Sequence, residues 1–151
     1  MKKTIRINTV FFLVLIAFNA LSSDTDNTKI EKGYEVHYNA LSTSFLTPEV
    51  SKNYQIGRSK TKGFVNIAVL KQIEGEVSMP VEAQISIKAN NIYGQNKKIT
   101  LRKISENDGA IYYIGVFPVS SREIINFKAQ VVPENSKVAI DIKFDQEFYT
   151  D

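Results

Sequence analysis

The chain has 151 residues, of which 43% are hydrophobic and 23% are charged. This length and apolar content suit a single domain with one packed core. Lys2, Lys3 and Arg6 lie in an N-terminal segment predicted to be removed, and without them the chain has 16 basic and 16 acidic residues. This balance gives no support to a nucleic-acid partner. The chain has no Cys and one His, which excludes disulfides, thiolate metal sites and multi-histidine metal sites.

Residues 1–22 have the pattern of a secretory signal peptide. A basic start is followed by an uninterrupted apolar run over residues 10–18 and by a small-residue exit around Ser22. The run is about half of the ~20 apolar residues that a membrane span needs. We therefore expect cleavage after Ser22 or Ser23, delivery to the periplasm and no membrane span in the cleaved protein. No cysteine follows the run, which excludes a lipoprotein anchor.

Residues 23–32 are polar and are predicted to form a flexible N-terminal segment, so that the folded domain spans 33–151. From Tyr34 onward, apolar and polar residues alternate with the period of a β-strand. Asp108-Gly109 is one of several turn signals between the strands. The predicted strands span 34–39, 62–73, 81–92, 97–104, 110–117, 124–132 and 137–149.

One short helical turn is predicted near 47–54. Thr47 can cap a helix, Pro48 suits the first helical position, and Gly57 ends the segment. About seven antiparallel strands with almost no helix predict an all-β fold, a two-layer antiparallel β-sandwich of immunoglobulin-like architecture. A partly open barrel is the alternative, because the topology is inferred from the strand count alone.

No catalytic constellation is predicted. His37, the single histidine, lies on the polar side of the first strand, where a cross-strand polar contact is the simplest interpretation. No G-x-S-x-G pattern provides a nucleophile. The acids of the last strand, Asp141, Asp145 and Glu147, alternate with Lys143 and indicate a solvated face. No metal site and no cofactor are predicted.

The candidate binding surface is centred on Arg58, Ser59 and Lys60, with His37 as a further member. Alternate residues of the extended "GRSKTKG" project to one side and could grip an acidic partner or a lipid head group. The other interpretation is that these lysines protect an exposed sheet edge from unwanted pairing. Tyr112 and Tyr113 complete the candidate set, because one of two consecutive tyrosines on a strand must point away from the core.

Several ordered stretches together resemble the bacterial family called domain of unknown function 4426. They are "YEVHYNALSTSFLTPEV", "YQIGRSK", "GFVNIAVLK", "ENDGAIYYIGVF" and "FDQEFYTD". The resemblance covers residues 33–151. It implies a Gram-negative periplasmic protein with a compact β-rich fold, and it implies no activity.

The expected function is that of a non-catalytic periplasmic module that binds a protein or an envelope component. The alternative is a small-ligand carrier or an accessory subunit of an envelope enzyme, which would need a pocket between the sheets. A hydrolase is the weakest hypothesis. The sequence does not identify the partner or the oligomeric state.

Overall fold

The computed structural model describes residues 27–150, which contain ten strands, one 3-10 turn and one α-helix. The 3-10 turn spans Thr43–Phe45 and helix α1 spans Pro48–Asn53. The strands are β1 (Thr28–Glu31), β2 (Tyr34–Ser42), β3 (Lys62–Lys71), β4 (Met79–Pro80), β5 (Ala83–Asn91), β6 (Asn96–Lys97), β7 (Arg102–Ser105), β8 (Ile111–Pro118), β9 (Glu123–Pro133) and β10 (Ile140–Phe148).

The strands form two antiparallel sheets that pack face to face. The first sheet has the order β1-β2-β3-β8-β7, with the short β4 also paired to β3, and the second has the order β10-β9-β5-β6. The predicted two-layer antiparallel sandwich is confirmed. The apolar run of β3 is explained by its central position, since it has paired strands on both sides.

The core between the sheets is built from the inward positions of each strand's alternation. Val36, Ile67, Val131 and Ile140 are fully buried. The alternation in the sequence predicts two sets of inward-facing residues, and both sets lie in or against the core clusters. They are Val81, Ala83, Ile85, Ile87 and Ala89 in the strand predicted over 81–92, and Val138, Ile140, Ile142, Phe144 and Phe148 in the strand predicted over 137–149. These buried aliphatic and aromatic side chains hold the sandwich together without any disulfide.

Three parts of the strand pattern differ from the prediction. Thr28–Glu31, within the segment predicted to be flexible, forms β1 and pairs with β2. Met79–Pro80, between two predicted strands, forms β4 and pairs with β3. The predicted strand 97–104 is divided between the sheets, because Asn96–Lys97 pairs with β5 and Arg102–Ser105 pairs with β8. Residues 98–101 therefore cross from one sheet to the other, which a periodicity of two cannot reveal.

Position 63 requires glycine, because the Phe117 ring lies too close to the backbone there to leave room for a Cβ atom. A Cβ added to Gly63 would lie 2.4 Å from Cε2 of Phe117, far inside van der Waals contact. The Phe117 ring is itself held by the rings of Phe127 and Phe148, at centroid distances of 5.5 and 5.6 Å. The ring therefore has little room to move aside.

We expect Gly63→Ala to lower the free energy of unfolding by about 1–3 kcal/mol, because it overpacks the core. Gly57→Ala is the matched control, since a Cβ there meets nothing within 4 Å. Urea unfolding of both variants measures the effect. Equal stability of the two variants would contradict the overpacking argument.

Candidate functional site

The outer face of the first sheet is covered by the segment between β2 and β3. This segment, residues 43–57, is called the cover below. Leu46, Val50, Tyr54 and Ile56 of the cover form a buried apolar cluster with side chains of the sheet. The predicted helical turn is confirmed, with Thr47 Oγ1 accepting from the backbone N–H of Val50 at 3.2 Å and Pro48 at the first helical position. The first sheet therefore has apolar layers on both of its faces.

Hydrogen bonds tie the start of the cover to the loop that follows it, and close the cover near its other end. The fully buried Thr43 hydroxyl donates to the carbonyl oxygen of Ser59 at 3.0 Å and accepts from the Ser59 N–H at 2.9 Å. Arg58 Nη2 donates to the carbonyl oxygen of Ser44 at 3.0 Å. Ser51 Oγ donates to the carbonyl oxygen of Ile56 at 2.5 Å and closes the end of α1.

A cavity of about 80 Å³ lies between the cover and the sheet. Its size exceeds the ~15 Å³ that one water molecule needs. Phe45, 65% exposed, stands at its rim. The lining residues are Asn39, Leu41, Phe45, Leu46, Thr47, Val50, Tyr54, Phe64, Asn66, Tyr112 and Ile114.

Two asparagines form the polar part of the cavity wall. Asn39 of β2 and Asn66 of β3 are direct partners in the antiparallel register, so their side chains lie on the same outer face. Asn66 is only 7% exposed. The side-chain oxygens Oδ1 of both residues are buried and have no hydrogen-bond partner within the described part of the chain. An unpaired buried acceptor costs about 1–3 kcal/mol, so two together in an apolar cavity call for a functional explanation.

The two tyrosines of the cavity stay uncharged at neutral pH. Tyr54 donates its hydroxyl hydrogen to Glu106 Oε1 at 2.5 Å, and burial together with this carboxylate raises the pKa of Tyr54 well above its usual value. Burial, followed by the nearby Asp108 charge, also raises the pKa of Tyr112. Arg102 donates to the backbone oxygen of Tyr54 and braces the cover from the side of β7. No Asp, Glu, Lys, Arg or His lines the cavity among the described residues.

His37 lies on the same outer face as Asn39, two positions earlier in β2. Its Nε2 donates to Glu35 Oε1 at 2.7 Å, because a carboxylate only accepts, and its Nδ1 lies 2.9 Å from Thr28 Oγ1. Thr28 is the register partner of His37 in β1. The histidine therefore makes the cross-strand polar contact expected from the sequence, and this contact fastens β1 to the sheet.

Arg58, Ser59 and Lys60 of the predicted binding surface lie together in the loop before β3, but far from His37. Arg58 and Ser59 bond to the cover, as described above, and Lys60 is exposed. These residues are at the Ser42 end of β2, about 17 Å along the strand from His37 at 3.3 Å per residue. Because this loop leads into the central strand β3, edge protection does not explain its charges.

The two consecutive tyrosines point to opposite faces, as predicted. Tyr112 lines the cavity on the outer face. Tyr113 belongs to the inner core, where its hydroxyl oxygen accepts from the backbone N–H of Ala83 at 2.7 Å. Asn39 and Asn66 were not predicted as site residues. The signal in the sequence is a single amide, Asn66, inside the otherwise apolar run "GFVNIAVL".

Two features are absent from residues 27–150. No helix in this range is long and apolar enough to cross a membrane. No group of three or more His, Asp or Glu residues in the same range is placed to hold a metal ion. The predicted signal peptide, residues 1–22, lies outside the described residues.

Comparison with known proteins identifies the family to which this chain belongs. The family model described as domain of unknown function (DUF4426) matches residues 28–151. The chain is also similar to a DUF4426 family protein from Pseudomonas aeruginosa PAO1 whose crystal structure is known, with 31% sequence identity and a TM-score of 0.67 over 82% of this chain and 94% of that one. A comparison with curated proteins found no match. The chain belongs to the DUF4426 family, and the resemblance predicted from the sequence is confirmed.

Proposed function

We propose that this protein is a non-catalytic binding module of the periplasm, and that the cavity under the cover is its binding site. The bound group is neutral and largely apolar, carries one hydrogen-bond donor, and belongs to a partner protein or to an envelope component. The unpaired oxygens of Asn39 and Asn66 are the observation that carries the proposal. Export rests on the signal-peptide pattern of residues 1–22.

The geometry of the two asparagines is the reason why the bound group needs a hydrogen-bond donor. Side chains directly opposite each other in an antiparallel pair have Cβ atoms about 5 Å apart, so one donor group placed between them reaches either oxygen. The bound group would pair acceptors that are otherwise left buried and unsatisfied. Ligands without a donor leave this penalty in place, which makes the asparagines a source of specificity.

The neutral, apolar character follows from the rest of the lining. Leu41, Val50, Phe64 and Ile114 supply aliphatic and aromatic walls. Because no ionised side chain of residues 27–150 lines the cavity, a charged group would lose its hydration without gaining a counter-charge there. The same lining offers neither a general base nor an activated nucleophile, which supports a binding role over catalysis.

The size of the cavity favours a single side chain or ring over a whole metabolite. A tyrosine-like ring of a partner protein satisfies these requirements, and so does a neutral, hydroxyl-bearing apolar group of an envelope component. The alternative function, a carrier of small ligands, would use the same cavity. The pocket that this alternative was expected to need between the sheets is instead found on the outer face of the first sheet.

Phenol and toluene test the proposal, because they have nearly the same shape and only phenol has a donor. We expect the ratio of their affinities, phenol over toluene, to fall by about tenfold or more when Asn66 is changed to leucine, which corresponds to about 1.4 kcal/mol. NMR titration of the ¹⁵N-labelled chain from residue 23 onward measures both affinities. An unchanged ratio, or no saturable binding of either compound to the wild-type protein, would refute the proposed site.

A further inference from the structure

One end of the sandwich, here called the loop end, collects three connections between strands. They are the two ends of the β2–β3 connection (the 3-10 turn and the loop before β3), the turn between β5 and β6, and the turn between β8 and β9. The strand register places them together, because Ser42 pairs with Gly63 and Lys62 pairs with Pro118. Asn91 Nδ2, at the end of β5, donates to Glu123 Oε1, at the start of the neighbouring β9, at 2.8 Å. The turn between β8 and β9 passes from the first sheet to the second at this end, and its Val119 N–H donates to the carbonyl oxygen of Thr61 at 3.0 Å.

The loop end carries more positive than negative charge. Arg58, Lys60, Lys62 and Arg122 are all exposed there, and none of them forms an ion pair with another residue in the range 27–150. Two acids lie near them: Glu147 is exposed at the end of β10, and Glu123 is already neutralised. Burial alone would raise the pKa of Glu123, but bonds from Lys97, Asn91 and the Ser120 N–H lower it overall.

Large apolar side chains project from the same end. Phe45 is 65% exposed, Ile92 is 59% exposed and Tyr93 is 82% exposed. They stand on two separate turns, one continuous with each sheet, and so do not form a single flat patch. Apolar and aromatic side chains at loop tips, flanked by lysine and arginine, suit the interface of a bilayer with anionic lipid.

The opposite end of the molecule has a net negative charge. Its turns carry six acids and two lysines. The acids are Glu74, Glu76, Glu82, Glu106, Asp108 and Glu134, and the lysines are Lys32 and Lys137. An anionic surface therefore attracts the loop end and repels the other end, which orients the molecule although its overall charge is balanced.

We propose that the loop end docks on the surface of an anionic phospholipid bilayer, with the basic residues on the head groups and Phe45, Ile92 and Tyr93 inserted between them. This orientation places the rim of the cavity, at Phe45, against the lipid. The proposal stands on charge and exposure at the loop end and does not depend on what the cavity binds.

Sedimentation with vesicles tests the docking surface. The chain from residue 23 onward is mixed with vesicles of phosphatidylcholine containing 30% phosphatidylglycerol, and with vesicles of phosphatidylcholine alone. We expect binding to the anionic vesicles only, and a strong decrease in 0.5 M NaCl. Lys60→Glu/Lys62→Glu/Arg122→Glu should weaken binding at least about a hundredfold, since each cation near an anionic surface contributes about fivefold.

The matched control is Lys71→Glu/Lys88→Glu/Lys137→Glu, which makes the same change in net charge away from the loop end. The affinity of this control variant for anionic vesicles should stay within about threefold of that of the wild type. Phe45→Ser/Tyr93→Ser should weaken binding while leaving its salt dependence intact, and circular dichroism confirms the fold of each variant. Equal losses in both triple variants, equal binding to neutral vesicles, or full competition by millimolar inorganic phosphate would overturn the proposal. Phenol binding unchanged in the loop-end variant would show that the cavity is unaffected.

Discussion

Replacing Thr43 with valine is expected to lower the free energy of unfolding by about 2–4 kcal/mol, although the two side chains have nearly the same shape. The Thr43 hydroxyl is fully buried and bonds both the N–H and the carbonyl oxygen of Ser59. Valine leaves these two backbone groups without that partner. The same change should weaken phenol binding at least about tenfold, because the tie that holds the cover over the cavity is lost.

Thr43→Ser distinguishes the contribution of the hydrogen bonds to stability from the contribution of packing. Serine keeps the hydroxyl and loses one methyl group, so its cost should be about 1 kcal/mol. Urea unfolding gives the stabilities and calorimetric titration gives the phenol affinities. If the serine and valine variants were equally unstable, the hydroxyl would have no special part in holding the cover.

Replacing Asn66 with leucine is expected to act in the opposite direction on stability. The substitution removes a buried oxygen that has no partner and extends apolar surface toward an existing cavity. We expect the free energy of unfolding to rise by about 1–3 kcal/mol, while the preference for phenol falls as described above. A gain in stability coupled to a loss of selective binding is typical of a residue kept for function.

Asn96→Leu is the control for this substitution. Asn96 is exposed on β6, so its replacement should change stability by less than about 0.5 kcal/mol. Thermal and urea unfolding compare the two leucine variants. A destabilised Asn66→Leu protein would mean that the asparagine is satisfied in solution and that the cavity wall is not poised for a donor.

The fold could be predicted from the sequence in strands where apolar and polar residues alternate, because there the pattern directly indicates which side chains are buried. In β5 and β10 every second residue faces the core, and the inward sets were identified correctly from the sequence. Helix α1 was also predictable, because Thr47 and Pro48 are local signals. The change of sheet at residues 98–101 was not, since it depends on which strands become neighbours after folding.

The candidate site was less predictable for the same reason. Asn39 and Asn66 are separated along the chain by the whole cover, and only the register of β2 with β3 makes them partners. Charged residues such as Arg58 and Lys60 draw attention in a sequence, whereas a pair of neutral amides does not. The sequence predicts that one of Tyr112 and Tyr113 points outward, but not which one. It predicts the cover that encloses Tyr112 only as a short turn of helix.

The crystal structure of the phenol complex tests the central claim most directly. We expect the ring between Val50 and the sheet, and the hydroxyl oxygen within about 3 Å of Oδ1 of Asn39 or Asn66. Phenol bound elsewhere, or bound in the cavity with its hydroxyl turned away from both amides, would contradict the claim that these oxygens select the ligand.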